Sequence, residues 1–165
     1  MAFFDLTGKV AFITGTSRGL GQYFARALAQ AGADIAMSSR DASKLAPFRK
    51  EIEALGRRTC GVDLDVRDHA SIQAAVAEVE KQMGRIDILV NCVGINRRKP
   101  IDDVTPEDFD AIVAVNMRAI FFLCQAVHAG MKARGGGSIV NVSSLSAKYS
   151  YQTISVYAAT KAAVT

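Results

Sequence analysis

The sequence predicts an α/β fold, a doubly wound parallel sheet in three α/β/α layers. Three observations point there. Short, nearly continuous apolar runs alternate with longer amphipathic segments along the 165 residues. Strands apolar on both sides belong to parallel sheets covered by helices on both faces. The amphipathic segments end at single glycines, at Gly32, Gly56 and Gly84, as helices stopped by a left-handed residue do. A glycine-rich turn separates the first apolar run from the first amphipathic one. Right-handed crossovers then leave the doubly wound topology as the simplest arrangement.

The elements follow in order. Lys9–Thr14 reads as a buried strand and Leu20–Ala31 as a helix. Asp34–Ser38 is a second strand and Ala42–Leu55 a helix, with Asp41 as its cap. Thr59–Leu64 is a third strand and His69–Met83 a helix. Ile86–Asn91 is a fourth strand, interrupted only by Asp87. Pro106–Ala133 is a long helix, with Thr105 at the N-cap and Pro106 at its first position. Gly135–Gly137 end it, Ser138–Val142 is a fifth strand, and Ser155–Thr165 begins another helix. Apolar residues line more than one side of Ile112–Val127, the pattern of a helix covered twice.

Half the residues are hydrophobic and 22% are charged, the composition of a soluble globular domain. Residues 1–165 are read as one dinucleotide-binding domain without repeats or linkers. The net charge of +4 comes from cations spread along the chain, so no nucleic-acid partner is expected. Cys60, Cys92 and Cys124 form neither a metal-ligand pattern nor a disulfide framework; buried reduced thiols in a cytoplasmic protein are expected, and no metal. Met1–Asp5 lacks a basic region followed by an apolar run, so neither a signal peptide nor a membrane span is expected.

In such a fold ligands bind at the carboxyl ends of the strands, so the residues after each strand carry the function. After the first comes Thr14-Gly15-Thr16-Ser17-Arg18-Gly19-Leu20-Gly21. Glycines let backbone turn tightly and approach a pyrophosphate, and the following helix N-terminus offers unpaired N–H groups. Gly15, Ser17, Arg18, Gly19, Leu20 and Gly21 are therefore candidate cofactor contacts. After the second strand comes Ser39-Arg40-Asp41. An acidic side chain ending this strand would select NAD; here Arg40, with Arg18 nearby, suits a 2′-phosphate, so NADP(H) is expected, with NAD as the alternative. After the third, Asp65 with Val66 could accept from an adenine amino group. After the fourth, Asn91-Cys92-Val93-Gly94 offers a small turn for the nucleoside.

Beyond the fifth strand lie Ser144, Tyr157 and Lys161. Tyr157 and Lys161 are four residues apart, on one face of a helix. A neighbouring ammonium favours the phenolate and brings a phenol toward useful acid–base range. Ser144 could hold the substrate oxygen. Tyr149 and Tyr151 are available decoys.

These motifs together resemble the short-chain dehydrogenase/reductase family, over essentially the whole chain. The resemblance rests on T-G-x-x-x-G-x-G at Thr14–Gly21, Y-x-x-x-K at Tyr157–Lys161, Ser144 thirteen residues before the tyrosine, and Asn116 in the long helix. It implies a Rossmann-like fold and hydride exchange with a nicotinamide cofactor. It also implies catalytic roles for Asn116, Ser144, Tyr157 and Lys161: Tyr157 exchanges the hydroxyl proton, Lys161 holds the nicotinamide ribose, Ser144 orients the substrate, and Asn116 holds a water that links Lys161 to solvent. Asp65 would contact adenine, and Asn91 and Gly94 fit the N-N-A-G turn. Tyr157 and Lys161 would thus contact the cofactor, and Ser144 and Tyr157 the substrate.

Two departures matter. Cys92 replaces the second asparagine of that turn, which removes a brace from the sheet. Family members run to about 250 residues, so the last strands, the substrate-closing segment and the loop gripping the nicotinamide carboxamide are expected to be missing. The fifth strand would then form a sheet edge, and the 165-residue form is expected to turn over poorly. The stretch Gly94-Ile95-Asn96-Arg97-Arg98-Lys99-Pro100 resembles the branch that oxidises sugar acids such as gluconate, and its three adjacent cations could attract a carboxylate. A 3-oxoacyl-carrier-protein reductase and an inactive nucleotide-binding scaffold are the alternatives. The resemblance further implies a homo-dimer or homo-tetramer in the full-length form.

Overall fold

The computed structural model describes residues 4–165; Met1–Phe3, part of the stretch read for a signal peptide, lie outside the described residues. Five strands, β1 (Val10–Ile13), β2 (Asp34–Ser39), β3 (Thr59–Asp63), β4 (Ile88–Asn91) and β5 (Ser138–Asn141), form one sheet in the order β3-β2-β1-β4-β5. All pairings are parallel, and Ile13 sits level with Met37 and Val90. The strand order reverses between β1 and β4, so a crevice opens at their carboxyl ends.

Helices α1 (Leu20–Gln30), α2 (Ala46–Glu53), α3 (His69–Met83), α4 (Pro106–Val113), α5 (Ala119–Ala133) and α6 (Ser155–Ala163) connect or follow the strands. Phe12, Ala36, Val62 and Leu89 face one way and pack with Val79 of α3 and Leu123 and Val127 of α5. Ile13, Ile35, Met37 and Val90 face the other way, against Ala25 and Ala29 of α1 and Ile52 of α2. The alternation is the two-residue period of a strand, and it gives the expected three layers.

Local chemistry sets the boundaries. Asp68 accepts from the Ala70 N–H at the start of α3, and Gly84 closes the helix in left-handed conformation. Thr105 and Asp108 form a reciprocal capping box at α4, with Pro106 behind the cap. Asp41 caps the next helical segment as expected, but that segment begins as a 3-10 turn, Ala42–Leu45, before α2. Pro47 explains the change: it has no N–H to return to the Ser43 carbonyl, which is taken instead by Ala46.

The helix expected over Pro106–Ala133 is continuous but holds a π-helical turn, Ala114–Arg118. By length and hydropathy alone this stretch could cross a membrane. Its polar Asp108 and Asn116 are buried and hydrogen-bonded, and its apolar side packs on the sheet. That is the pattern of a core helix.

β5 takes the edge position expected of it and is exposed at all four residues, with Ile139 and Val140 43% and 46% accessible. The cysteine expectation needs correction. Of the cysteines only Cys60 is fully buried, and burial lifts its thiol to a pKa of about 11. Cys92 and Cys124 are free and half-buried.

Candidate active site

The glycine turn after β1 is built by close approach. A side chain at Gly15, whose φ is +73°, would meet Val93 Cγ2 at 2.8 Å, and one at Gly21 would run into the Gly15 carbonyl oxygen. Gly19 has φ +65° and open space around it. The turn therefore presses α1 against the sheet and leaves the helix N-terminus bare toward a cleft.

That cleft, about 650 Å³, is lined by Gly15–Gly21 of the turn, by Ser38, Ser39 and Arg40 after β2, by Leu64–Arg67 after β3, and by Cys92–Ile95 after β4. Thr16 is the exception within the turn: it is buried, and its N–H and hydroxyl both bind the Ser38 carbonyl. Arg18 and Arg40 are both exposed on the cleft wall. Asp41 does not line it; its carboxylate accepts from Ser43 N at 3.1 Å and Ser43 Oγ at 2.5 Å. The strand-end carboxylate that could have reached a ribose is thus committed to capping. Ser38 Oγ is buried on the cleft wall without a hydrogen-bond partner.

Asp65 and Val66 line the same cleft, but Asp65 has a partner that spacing did not reveal. Arg67 donates from Nε at 3.0 Å and Nη2 at 2.5 Å. This guanidinium holds the Asp65 carboxyl down at a pKa of about 2. Asn91 stands apart. It is 2% exposed and does not line the cleft; its Nδ2 donates to Asn141 Oδ1 at 2.9 Å and braces β4 to β5, while its Oδ1 has no partner. The turn that loses an asparagine at Cys92 is held by Thr14 instead. Thr14 Oγ1 accepts from the Cys92 N–H at 3.0 Å and donates to the Val90 carbonyl at 3.3 Å.

A second cleft, about 680 Å³, shares Leu20, Cys92, Gly94 and Ile95 with the first, so the two adjoin. Ser144, Tyr157 and Lys161 line it together, with Tyr151, Gln152 and Arg98. α6 carries Tyr157 and Lys161 on one face, and the Lys161 Nζ lies 5.8 Å from the Tyr157 ring centre. Lys161 is 4% exposed and donates to the Val142 carbonyl at 2.6 Å. Burial lowers its pKa below that of an ordinary lysine, with a small opposing effect from Cys92. Ser144 Oγ accepts from Ser146 N–H at 3.1 Å, capping the turn Leu145–Ala147. That bond uses a lone pair and leaves the hydroxyl hydrogen to donate. Tyr151 lines the cleft but is 60% exposed, and Tyr149 is outside it.

Asn116 sits in the π-helical turn, fully buried. Its Oδ1 accepts from Ile95 N–H at 2.8 Å, and its Nδ2 donates to the Ile95 carbonyl at 2.9 Å and to Thr160 Oγ1 at 3.2 Å. Both amide hydrogens are committed, so the side chain clamps the loop after β4 to α6.

The three-cation reading of Arg97-Arg98-Lys99 needs revision. Arg97 pairs with Asp108 at 3.1 Å and Lys99 pairs with it at 2.5 Å. Only Arg98 lines the cleft.

The model of the family described as short chain dehydrogenase matches residues 9–165. A gluconate 5-dehydrogenase of Gluconobacter oxydans is 39% identical over 161 residues, which make up 98% of this chain and 63% of that protein. A sorbitol dehydrogenase of Cereibacter sphaeroides is 40% identical, covering 96% of this chain and 61% of its own. Among solved structures, a gluconate 5-dehydrogenase from Burkholderia cenocepacia in complex with NADP and tartrate superposes with a TM-score of 0.93 at 42% identity, over 99% of this chain and 64% of its own. The chain thus spans less than two thirds of the length of each relative.

Proposed function

We propose that this chain, which belongs to the short-chain dehydrogenase family, carries the cofactor and acid–base centre of an NADP(H)-dependent oxidoreductase acting on a polyhydroxy acid of the gluconate class. The observation that carries this reading is that two clefts share a wall. The glycine-turn cleft with Arg18 and Arg40 adjoins the cleft holding Ser144, Tyr157 and Lys161.

The residues fit the cofactor. The bare α1 N-terminus and the side-chain-free Gly19 accept a pyrophosphate. Ser38 Oγ, buried and partnerless on the same wall, has a donor to offer. Arg18 and Arg40 supply guanidinium to a 2′-phosphate, and Asp65 and Val66 face the adenine end. The Burkholderia relative binds NADP. When bound, the nicotinamide supplies hydride acceptance or donation.

The chain's own groups handle the proton. In the reducing direction the Tyr157 hydroxyl gives its proton to the carbonyl oxygen, and in the oxidising direction it takes one from the alcohol. Lys161, fixed on the Val142 carbonyl, holds its ammonium 5.8 Å from the Tyr157 ring centre, where it can bind the nicotinamide ribose. Ser144 donates its free hydroxyl hydrogen to the substrate oxygen. A water relay at Asn116 would have to bind through an acceptor, because both amide hydrogens are engaged. Arg98 binds the substrate carboxylate.

The test compares reduction of 5-ketogluconate with that of an acetoacetyl thioester by the purified protein at its native length. We expect the keto acid to be preferred, with NADPH favoured over NADH. Preference for the thioester would make the protein a reductase of acyl chains and would remove the sugar-acid reading.

A further inference from the structure

We propose that Asp108, outside the cleft, is a positioning residue that sets substrate charge selectivity by turning two of the three loop cations away and leaving Arg98 alone to face the substrate. This rests on the reading of the cleft as a hydroxy-acid site.

The segment after β4 runs along the cleft, with Gly94 and Ile95 both lining it, and from Asn96 to Lys99 successive residues take opposite sides. Asn96 and Arg98 line the cleft, whereas Arg97 and Lys99 meet the carboxylate of Asp108. Rotating the segment by one residue would exchange the two sets. Its parity is therefore what decides how many positive charges the substrate meets.

Two anchors fix that parity. The first is Asp108 itself. It is 5% exposed in the first turn of α4, and the capping box with Thr105 holds it in place. Its carboxylate cannot follow the cations if the loop turns. The second is Thr153, whose carbonyl accepts from the Lys99 N–H at 3.1 Å. Thr153 has φ +70°, a left-handed conformation that β-branched residues rarely adopt. Thr153 lies between the cleft-lining Gln152 and Ile154, so the same bond ties the loop to the opposite rim.

Arg98 forms no ion pair among the described residues, in contrast to its two neighbours. One guanidinium matches one carboxylate in bidentate fashion. A substrate with further negative charge finds no second cation on this rim. The site should therefore prefer a singly charged keto or hydroxy acid over its phosphorylated counterpart.

The test measures kcat/KM with NADPH for 5-ketogluconate, a phosphorylated ketogluconate and a neutral ketose, using native-length protein. Asp108→Asn frees Arg97 and Lys99. It should raise the phosphorylated-to-unphosphorylated ratio about fivefold, the scale of a partly screened charge effect. The change should appear in KM, with kcat for the neutral ketose and NADPH affinity unmoved. Asp108→Glu should restore the wild-type ratio. If Asp108→Asn does not fold, a second contrast decides: Arg98→Gln should raise KM for 5-ketogluconate about tenfold, the scale of a charged hydrogen bond, and Arg97→Gln/Lys99→Gln should leave it unchanged. An unaltered ratio in folded Asp108→Asn, or a raised KM in the double variant, would overturn the proposal. Wild-type enzyme that favours the neutral ketose over 5-ketogluconate would instead remove the acid-site reading beneath it.

Discussion

At the scale of single residues, charge decides most of what the cofactor cleft can do. Arg40 stands on the wall where an acidic residue would have selected a free ribose, and Asp41 is turned aside into a cap. Arg40→Ser should raise KM for NADPH about 10- to 100-fold, the range of one lost charged hydrogen bond, and leave NADH kinetics within a small factor. Asp65 is the second case. Its folded pKa falls from 3.8 to about 2 because Arg67 binds it. A depressed carboxylate stabilises the native state above its ordinary pKa, and that contribution is lost as pH falls from about 4 towards 2. Arg67→Ala should move the Asp65 titration, followed by carbon-detected NMR, back toward 3.8; no movement would mean that another group holds the carboxylate. Arg67 was illegible in the sequence as a partner of Asp65, because two residues apart in a loop implies no particular geometry. Arg97 and Lys99 show the same limit. Their convergence on Asp108 depends on how a loop passes a helix end, and only the side-chain positions record it.

At the scale of elements, the boundaries that sequence chemistry specifies are those with a cap. α3 spans His69–Met83 and stops at Gly84 as expected, with Asp68 capping its start, and Thr105 with Pro106 starts α4. The π-helical turn at Ala114–Arg118 was not legible, since apolar periodicity over a long helix tolerates one extra residue. The turn nonetheless carries Asn116, whose amide bridges the β4 loop and α6. Asn116→Ala leaves the half-buried Ile95 N–H and the Thr160 hydroxyl without their amide partner, so it should cost about 1–3 kcal/mol in denaturant unfolding. It should also reduce kcat by loosening α6 beneath Tyr157. A variant as stable as wild type would show that the clamp is dispensable. The exposure of β5 was visible only conditionally. Its alternation resembles that of the other strands, and burial depends on what lies beside it.

At the scale of the whole molecule, the site exists because two core layers hold one sheet level at its carboxyl edge. Phe12 belongs to one layer and Ile13 to the other. They lie on β1, the strand that feeds the glycine turn. We read residues 1–165 as one folding unit. Phe12→Ala, at a fully buried position, should then destabilise it by about 3–5 kcal/mol and shift the far-UV signal and the tyrosine fluorescence together. Separate transitions would contradict a single unit. The central claim is that Tyr157 exchanges the proton in a cleft adjoining the one proposed to bind NADP(H). The most direct test measures NADPH binding and turnover together in Tyr157→Phe, using native-length protein and 5-ketogluconate. The account predicts NADPH affinity and melting temperature close to wild type, with kcat reduced at least about a hundredfold, the scale of a lost general acid. Turnover close to wild type in the folded variant would contradict it.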